Sequence, residues 1–222
     1  MRKLASKSDM ALKFSVMALF AALFVFIAAA FNTAISQSFE AWVYAESIEH
    51  MSPVITSCAI GITHLGDALV VVLVCLLFII VPTLRKNYAV PVIASTVVAA
   101  CLNALLKLAF MRPRPDILML IPETDFSFPS GHAMTNMALY AVIIILAWRF
   151  LHTKRAKVLI TLALGTLVFA IGFTRIYLGV HYVTDVIAGW CLGLTIALAV
   201  ILIYDKIKQR SKLSTKQEKN NR

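Results

Sequence analysis

The sequence predicts an all-α integral membrane protein, a bundle of six transmembrane helices. Hydrophobic residues make up 60% of the 222 positions and the mean hydropathy is +0.85, well above the roughly 45–50% apolar content of a soluble domain. The apolar residues gather in six long charge-free runs, and clusters of Lys and Arg separate those runs in alternation. Each run is continuous instead of alternating every second residue, which argues against barrel strands.

The first run, Phe14 to Phe39, follows a basic start. It exceeds the ~7–15 residues of a signal-peptide core and is read as an uncleaved anchor. An outer segment, residues 32–64, interleaves Phe39, Trp42, Tyr44 and Ile48 with Glu40, Glu46 and Glu49. That mixture predicts an amphipathic helix lying partly along the membrane surface, broken at Pro53. Helices two and three, Ala68 to Leu84 and Asn87 to Leu106, are joined by a short turn at Arg85-Lys86, with Pro91 near the start of the third, where proline is tolerated. A loop of about twenty residues, Ala109 to Phe128, then carries Pro113, Pro115 and Pro122; loops of that length in a compact protein are usually functional. Helices four to six are expected at Ala133 to Trp148, Val158 to Thr174 and Val186 to Tyr204, with a brief outer loop from Thr174 to Val180. The chain is divided into one membrane domain, residues 1–208, and a basic, flexible cytoplasmic tail, residues 209–222. The four cysteines are scattered and read as packing residues.

The net charge of +10 would suit a nucleic-acid partner, but its distribution points elsewhere. Of the 21 Lys and Arg residues, 17 fall before the first helix, after the second, after the fourth or after the sixth. All of those segments share one side, which the positive-inside rule makes the cytoplasm, so both termini are expected there. The partners implied are the lipid bilayer and its headgroups, not nucleic acid. Lys107, Arg112, Arg114 and Arg175 remain for the outer side, together with eight of the eleven carboxylates. An anion transporter would set its charges near the midplane on broken helices. Here they gather at the outer membrane edge of helices three to six.

Three blocks meet at that edge: Lys107 to Pro115, Phe128 to His132, and Arg175 to Asp185. A phosphoryl group in transfer carries negative charge on three oxygens and needs preorganised cations and N–H donors around it. Lys107, Arg114 and Arg175 can supply the cations, the arginines as planar forks and the lysine as a point charge. Ser130 is suited to cap the fourth helix, and Gly131 lets its first N–H groups approach an anion. His181 and Asp185 are four apart, so on a helix starting by Val180 the carboxylate would hold one ring nitrogen and leave the other as a nucleophile. His132 is the second histidine, suited to protonate a leaving oxygen and then activate water.

The three blocks resemble the signature motifs of the type 2 phosphatidic acid phosphatase family. The first matches as Lys107, six residues, then Arg114-Pro115; the second as Pro129-Ser130-Gly131-His132; the third as Arg175 to His181 and Asp185, with Thr174 where serine is usual. The resemblance implies a lipid phosphatase working through a phosphohistidine on His181, with His132 as acid and base, Asp185 behind His181, and a phosphate site of Lys107, Arg114, Ser130, Gly131 and Arg175. It calls for no metal and no other cofactor. Phosphatidylglycerophosphate, phosphatidic acid and undecaprenyl diphosphate are the candidate substrates, and a phosphotransferase using another acceptor is the alternative within the same chemistry. Arg112 is left open between a headgroup contact and a loop charge. Asp116, Glu123 and Asp125 are read as solvated loop carboxylates, and His50, His64 and His152 as surface or interface residues.

Overall fold

A computed structural model describes residues 7–116 and 118–220; Arg2, Lys3 and Arg222, counted above among the cytoplasmic cations, lie outside them. The regular structure among the described residues is entirely helical: α1 (Lys7–Ala30), α2 (Ala34–Glu49), α3 (Pro53–His64), α4 (Ala68–Ile80), α5 (Pro82–Asn87), α6 (Ala89–Phe110), α7 (Gly131–Phe150), α8 (Lys154–Tyr177) and α9 (Val183–Asn220). Five of these, α1, α6, α7, α8 and α9, are long and apolar enough to cross a membrane, and α3 with α4 passes as a pair bent by 41°, which brings the number to six.

The second span differs from its expectation. With 13 residues, α4 rises only about 20 Å at 1.5 Å per residue, short of the ~30 Å hydrocarbon thickness. The missing length comes from α3, which the sequence assigned to the outer surface segment. Ser52 caps α3 by accepting from the Ile55 N–H, and Pro53 follows at the first helical position, where its missing N–H costs nothing. The first apolar run is likewise divided: α1 ends at Ala30, and Thr33 caps α2 by accepting from Ser36 N–H. The last helix starts at Val183 and runs to Asn220, through the segment expected to be a flexible tail.

Helix α7 packs most extensively against α9 and is flanked by α6 and α8, while α1 covers another side of α9. Val92, Leu139, Val142, Leu146, Ala197 and Ile201 fill the buried interior. Association in lipid relies on close van der Waals contact, because lipid tails are as apolar as leucine. Gly189 and Gly193 provide that contact: a Cβ there would lie 2.8 Å from the Ser130 carbonyl oxygen and 2.4 Å from that of Met134. The close approach of α9 to α7 sets the site one turn further along, where the Ser130 N–H donates to the Asp185 carbonyl at 3.1 Å. At the opposite end Arg149 on α7 grips Asp205 on α9 through two bonds of 2.7 and 2.6 Å. Leu69, Leu73, Leu76 and Ile80 point outward from α4, as suits a lipid-facing surface. Of the cysteines only Cys191 is buried and Cys75 partly so; Cys58 and Cys101 are exposed, so packing accounts for two of the four.

Candidate active site

His181 lies in the turn between α8 and α9 and is 1% exposed. Because α9 begins at Val183, His181 precedes the helix on which it was expected to sit, yet Asp185 still faces it. Asp185 Oδ2 caps the turn by accepting from the Tyr182 N–H at 2.9 Å, and it also accepts from the Ser127 hydroxyl. His181 Nδ1 is 3.4 Å from both Asp185 Oδ2 and Ser127 Oγ, long contacts for hydrogen bonds. On the other side of the ring, Nε2 is 3.2 Å from Arg114 Nη1. Arginine can only donate, so that contact requires a lone pair on Nε2 and puts the proton of a neutral ring on Nδ1, toward Asp185. Burial drives the His181 pKa down to about 4 against the opposing pull of Asp185, which keeps the ring neutral at physiological pH.

The cations of the first and third blocks converge beside that nitrogen. Arg114 donates to the Val180 carbonyl at 2.7 Å and the Asp125 carbonyl at 2.8 Å. Its Nη2 meets the Asp125 carboxylate and lies 3.4 Å from Glu123. Lys107, in the last turn of α6, reaches Asp125 at 2.5 Å. Arg175, in the last turn of α8, donates to Thr63 Oγ1 at 3.0 Å and to Glu123, while its Nε is buried without a partner among the described residues. Glu123, read as a solvated loop charge, is instead mostly covered and held by Arg175 and Arg114, whereas Asp125 is exposed as read and still pairs with Lys107 and Arg114; together they bridge all three cations. Burial raises both carboxyls, but the cationic partners outweigh it, lowering Glu123 through Arg175 and bringing Asp125 to about 2 through Lys107 and Arg114. One unmatched buried donor and three cations held by two carboxylates thus stand together beside His181.

Ser130 caps α7 as expected, accepting from the Ala133 N–H at 3.4 Å. Its own N–H is committed to Asp185, so the N–H groups of Gly131 and His132 are the helix-start donors left for an anion. Gly131 also has a packing reason, since a Cβ there would stand 3.0 Å from Asn103 Oδ1. Gly179 holds the turn in place. Its φ is +71°, and a Cβ would fall 1.7 Å from the Leu118 carbonyl, at the point where Leu120 N–H pairs with the Leu178 carbonyl at 3.0 Å. The motif loop is thereby pinned to the His181 turn.

Several residues of the cluster escaped the sequence reading. Arg112 is neither a headgroup contact nor an exposed loop charge: it is 6% exposed and sits over the Tyr182 and Phe31 rings. It donates to Asp185 at 2.6 Å and to both oxygens of Glu40 at 2.9 and 2.7 Å. The one sequence signal was that Arg112 is the fourth outer cation; Glu40 and Ser127 had none. Asp67 was also missed. It bonds His132 Nε2 at 2.9 Å and His64 Nδ1 at 2.8 Å, and its only signal was the three-residue spacing from His64.

Apolar spans that meet at one end around three cations and two histidines, each histidine facing a carboxylate, define a membrane-embedded phosphatase. A family model for the PAP2 superfamily matches residues 88–209. Phosphatidylglycerophosphatase B of Bacillus subtilis (strain 168) is 32% identical over 192 residues, covering 84% of this chain and 93% of that protein. An undecaprenyl-diphosphatase of Sulfolobus acidocaldarius is 31% identical over 127 residues, covering 53% of this chain and 56% of that one. The crystal structure of a transmembrane PAP2 type phosphatidylglycerolphosphate phosphatase from Bacillus subtilis superposes with a TM-score of 0.77 at 30% identity, covering 86% of this chain and 96% of that one. The chain belongs to the PAP2 superfamily, as a multi-pass membrane phosphatase of lipid metabolism and a phosphoric monoester hydrolase.

Proposed function

We propose that the protein removes phosphate from a membrane lipid phosphate or diphosphate through a phosphohistidine on His181, without a metal. The observation that carries this reading is the His181 ring itself, with Nε2 turned to Arg114 at 3.2 Å and Nδ1 turned to Asp185. The substrate phosphate displaces Glu123 and Asp125 from Lys107, Arg114 and Arg175. The first N–H groups of α7, at Gly131 and His132 behind the Ser130 cap, complete its cradle. Nε2 then attacks phosphorus, the bond to the lipid oxygen breaks, and His132 gives that oxygen a proton. In the second half His132 takes a proton from water as the water attacks the phosphohistidine, and inorganic phosphate leaves.

The distribution of basic residues supports cytoplasmic termini, a site opening on the extracytoplasmic leaflet of the cell membrane, and a single membrane domain over residues 1–208 followed by a basic cytoplasmic stretch over 209–222. Phosphatidylglycerophosphate, phosphatidic acid and undecaprenyl diphosphate are the substrates proposed. The named activities of the relatives from Bacillus subtilis and Sulfolobus acidocaldarius favour the first and last.

The test is phosphate release by the purified protein from a panel of these lipids with EDTA present. The expected result is retained activity, a preferred headgroup, and loss of turnover in His181→Ala together with loss of an acid-labile phosphoenzyme. Full activity of His181→Ala would refute the assignment.

A further inference from the structure

The bend between α3 and α4 places Asp67 against His132, and the local structure is organised to keep it there. Asp67 occupies the N-cap position of α4, where an aspartate ordinarily accepts from the backbone of its own helix. It makes no such bond. Its two oxygens go instead to His132 Nε2 at 2.9 Å and His64 Nδ1 at 2.8 Å. The preceding residue, Gly66, is clamped to α7: Asn136 Nδ2 donates to its carbonyl at 3.0 Å, and a Cβ there would meet Ile171 at 2.7 Å and His132 at 3.0 Å. Asn136 also donates to the His132 carbonyl at 2.9 Å, so a single side chain ties the elbow and the histidine together. The bend of 41° forgoes a straight span and a cap bond, and in return it delivers one carboxylate oxygen to one imidazole nitrogen.

We infer that Asp67 is the positioning residue for His132, paired with it as Asp185 is paired with His181, and that His64 holds the second oxygen of that carboxylate. The inference rests on the proposed role of His132 as acid and base. Asp67 and His64 lie outside the 88–209 segment matched by the family model. With Asp67 accepting from Nε2–H, the protonated ring presents Nδ1–H to the departing lipid oxygen. That proton moves to the oxygen as the phosphorus–oxygen bond breaks and the bond from His181 Nε2 to phosphorus forms. The neutral ring left behind keeps Nε2–H on Asp67, and Nδ1 is then the base for the attacking water. The carboxylate fixes the tautomer and stabilises the imidazolium. His64 keeps the carboxylate from turning away, which matters because Asp67 is partly exposed.

The experiment is single-turnover phosphoenzyme formation by the full chain, using an alkyl lipid phosphate with a strongly basic leaving oxygen and an aryl phosphate whose leaving group needs no proton. Asp67→Asn should lower the alkyl rate about 10- to 100-fold and leave the aryl rate near wild type, so that the aryl rate doubles as a check on folding. His64→Gln should show the same pattern to a smaller degree. In a His132→Ala background Asp67→Asn should cost nothing further. Equal losses on both substrates, additive losses in the double variant, or a faster Asp67→Asn enzyme would overturn the inference, the last by showing that Asp67 masks His132 instead of positioning it. If His132→Ala itself shows no dependence on the leaving group, the acid role fails; if it does and Asp67→Asn does not, only the pairing fails.

Discussion

Arg112 holds Asp185 at 2.6 Å from a site closed by Phe31 and Tyr182, and its other nitrogen is held by Glu40 of α2. Helix α2 is thereby linked, through one guanidinium, to the carboxylate that faces His181. Arg112→Met would leave two carboxylates buried without their cation, and loss of one partner of a buried pair costs about 3–5 kcal/mol. The expected result is a large fall in the unfolding midpoint in detergent. Arg112→Lys keeps the charge but cannot reach Glu40 and Asp185 as a fork, so it should fold and lose kcat more than KM, measured by phosphate release.

Glu123 and Asp125 occupy the three cations proposed to hold the substrate phosphate. Replacing them with Gln and Asn removes a competing anion and leaves the shape of the loop. Inorganic phosphate and vanadate should then inhibit at lower concentration, by about tenfold for each 1.4 kcal/mol of competition removed, and KM should fall. Weaker inhibition by both anions would show that the carboxylates organise the cations instead of competing for them.

With His181 as the proposed nucleophile, its pKa of about 4 is expected to set the acid limb of activity. Only the neutral ring attacks, so activity falls as pH drops through the folded-state value, not through the ordinary 6.5. The acid limb of kcat/KM, which reports the free enzyme, should therefore lie well below pH 6. Asp185→Asn removes the group that pulls this pKa upward and should shift the limb further toward acid, in a pH series on a soluble substrate.

Gly179 combines a φ of +71° with a backbone carbonyl 1.7 Å from where a Cβ would stand. Gly179→Ala must move either Leu118 or the His181 turn. We expect a loss of about 1–3 kcal/mol from the backbone conformation alone, and a fall in kcat larger than the change in unfolding midpoint, because the displaced turn carries His181, the proposed nucleophile.

The apolar runs and the side on which each basic cluster falls are local properties, so the sequence by itself determined an all-helical membrane bundle and the residues of its three motif blocks. The structure brings Lys107, Arg114, Arg175 and His181 together at one end, as the motifs led one to expect. Ser130 caps α7 because capping depends only on residues a turn apart. The bend of the second span was not legible, since α3 and α4 are both apolar and nothing in Leu65-Gly66-Asp67 reveals that the elbow is clamped by Asn136 on α7. The same holds for Glu40 on Arg112, 72 residues away, and for Asp67 on His132, 65 residues away. A loop carboxylate such as Glu123 reads as solvated until the fold shows which cation it meets. The sequence supplies the charges, but only the packing of α2 and the α3–α4 elbow against the motif helices decides their partners, because a buried charge is tolerated only where the fold delivers its counter-charge.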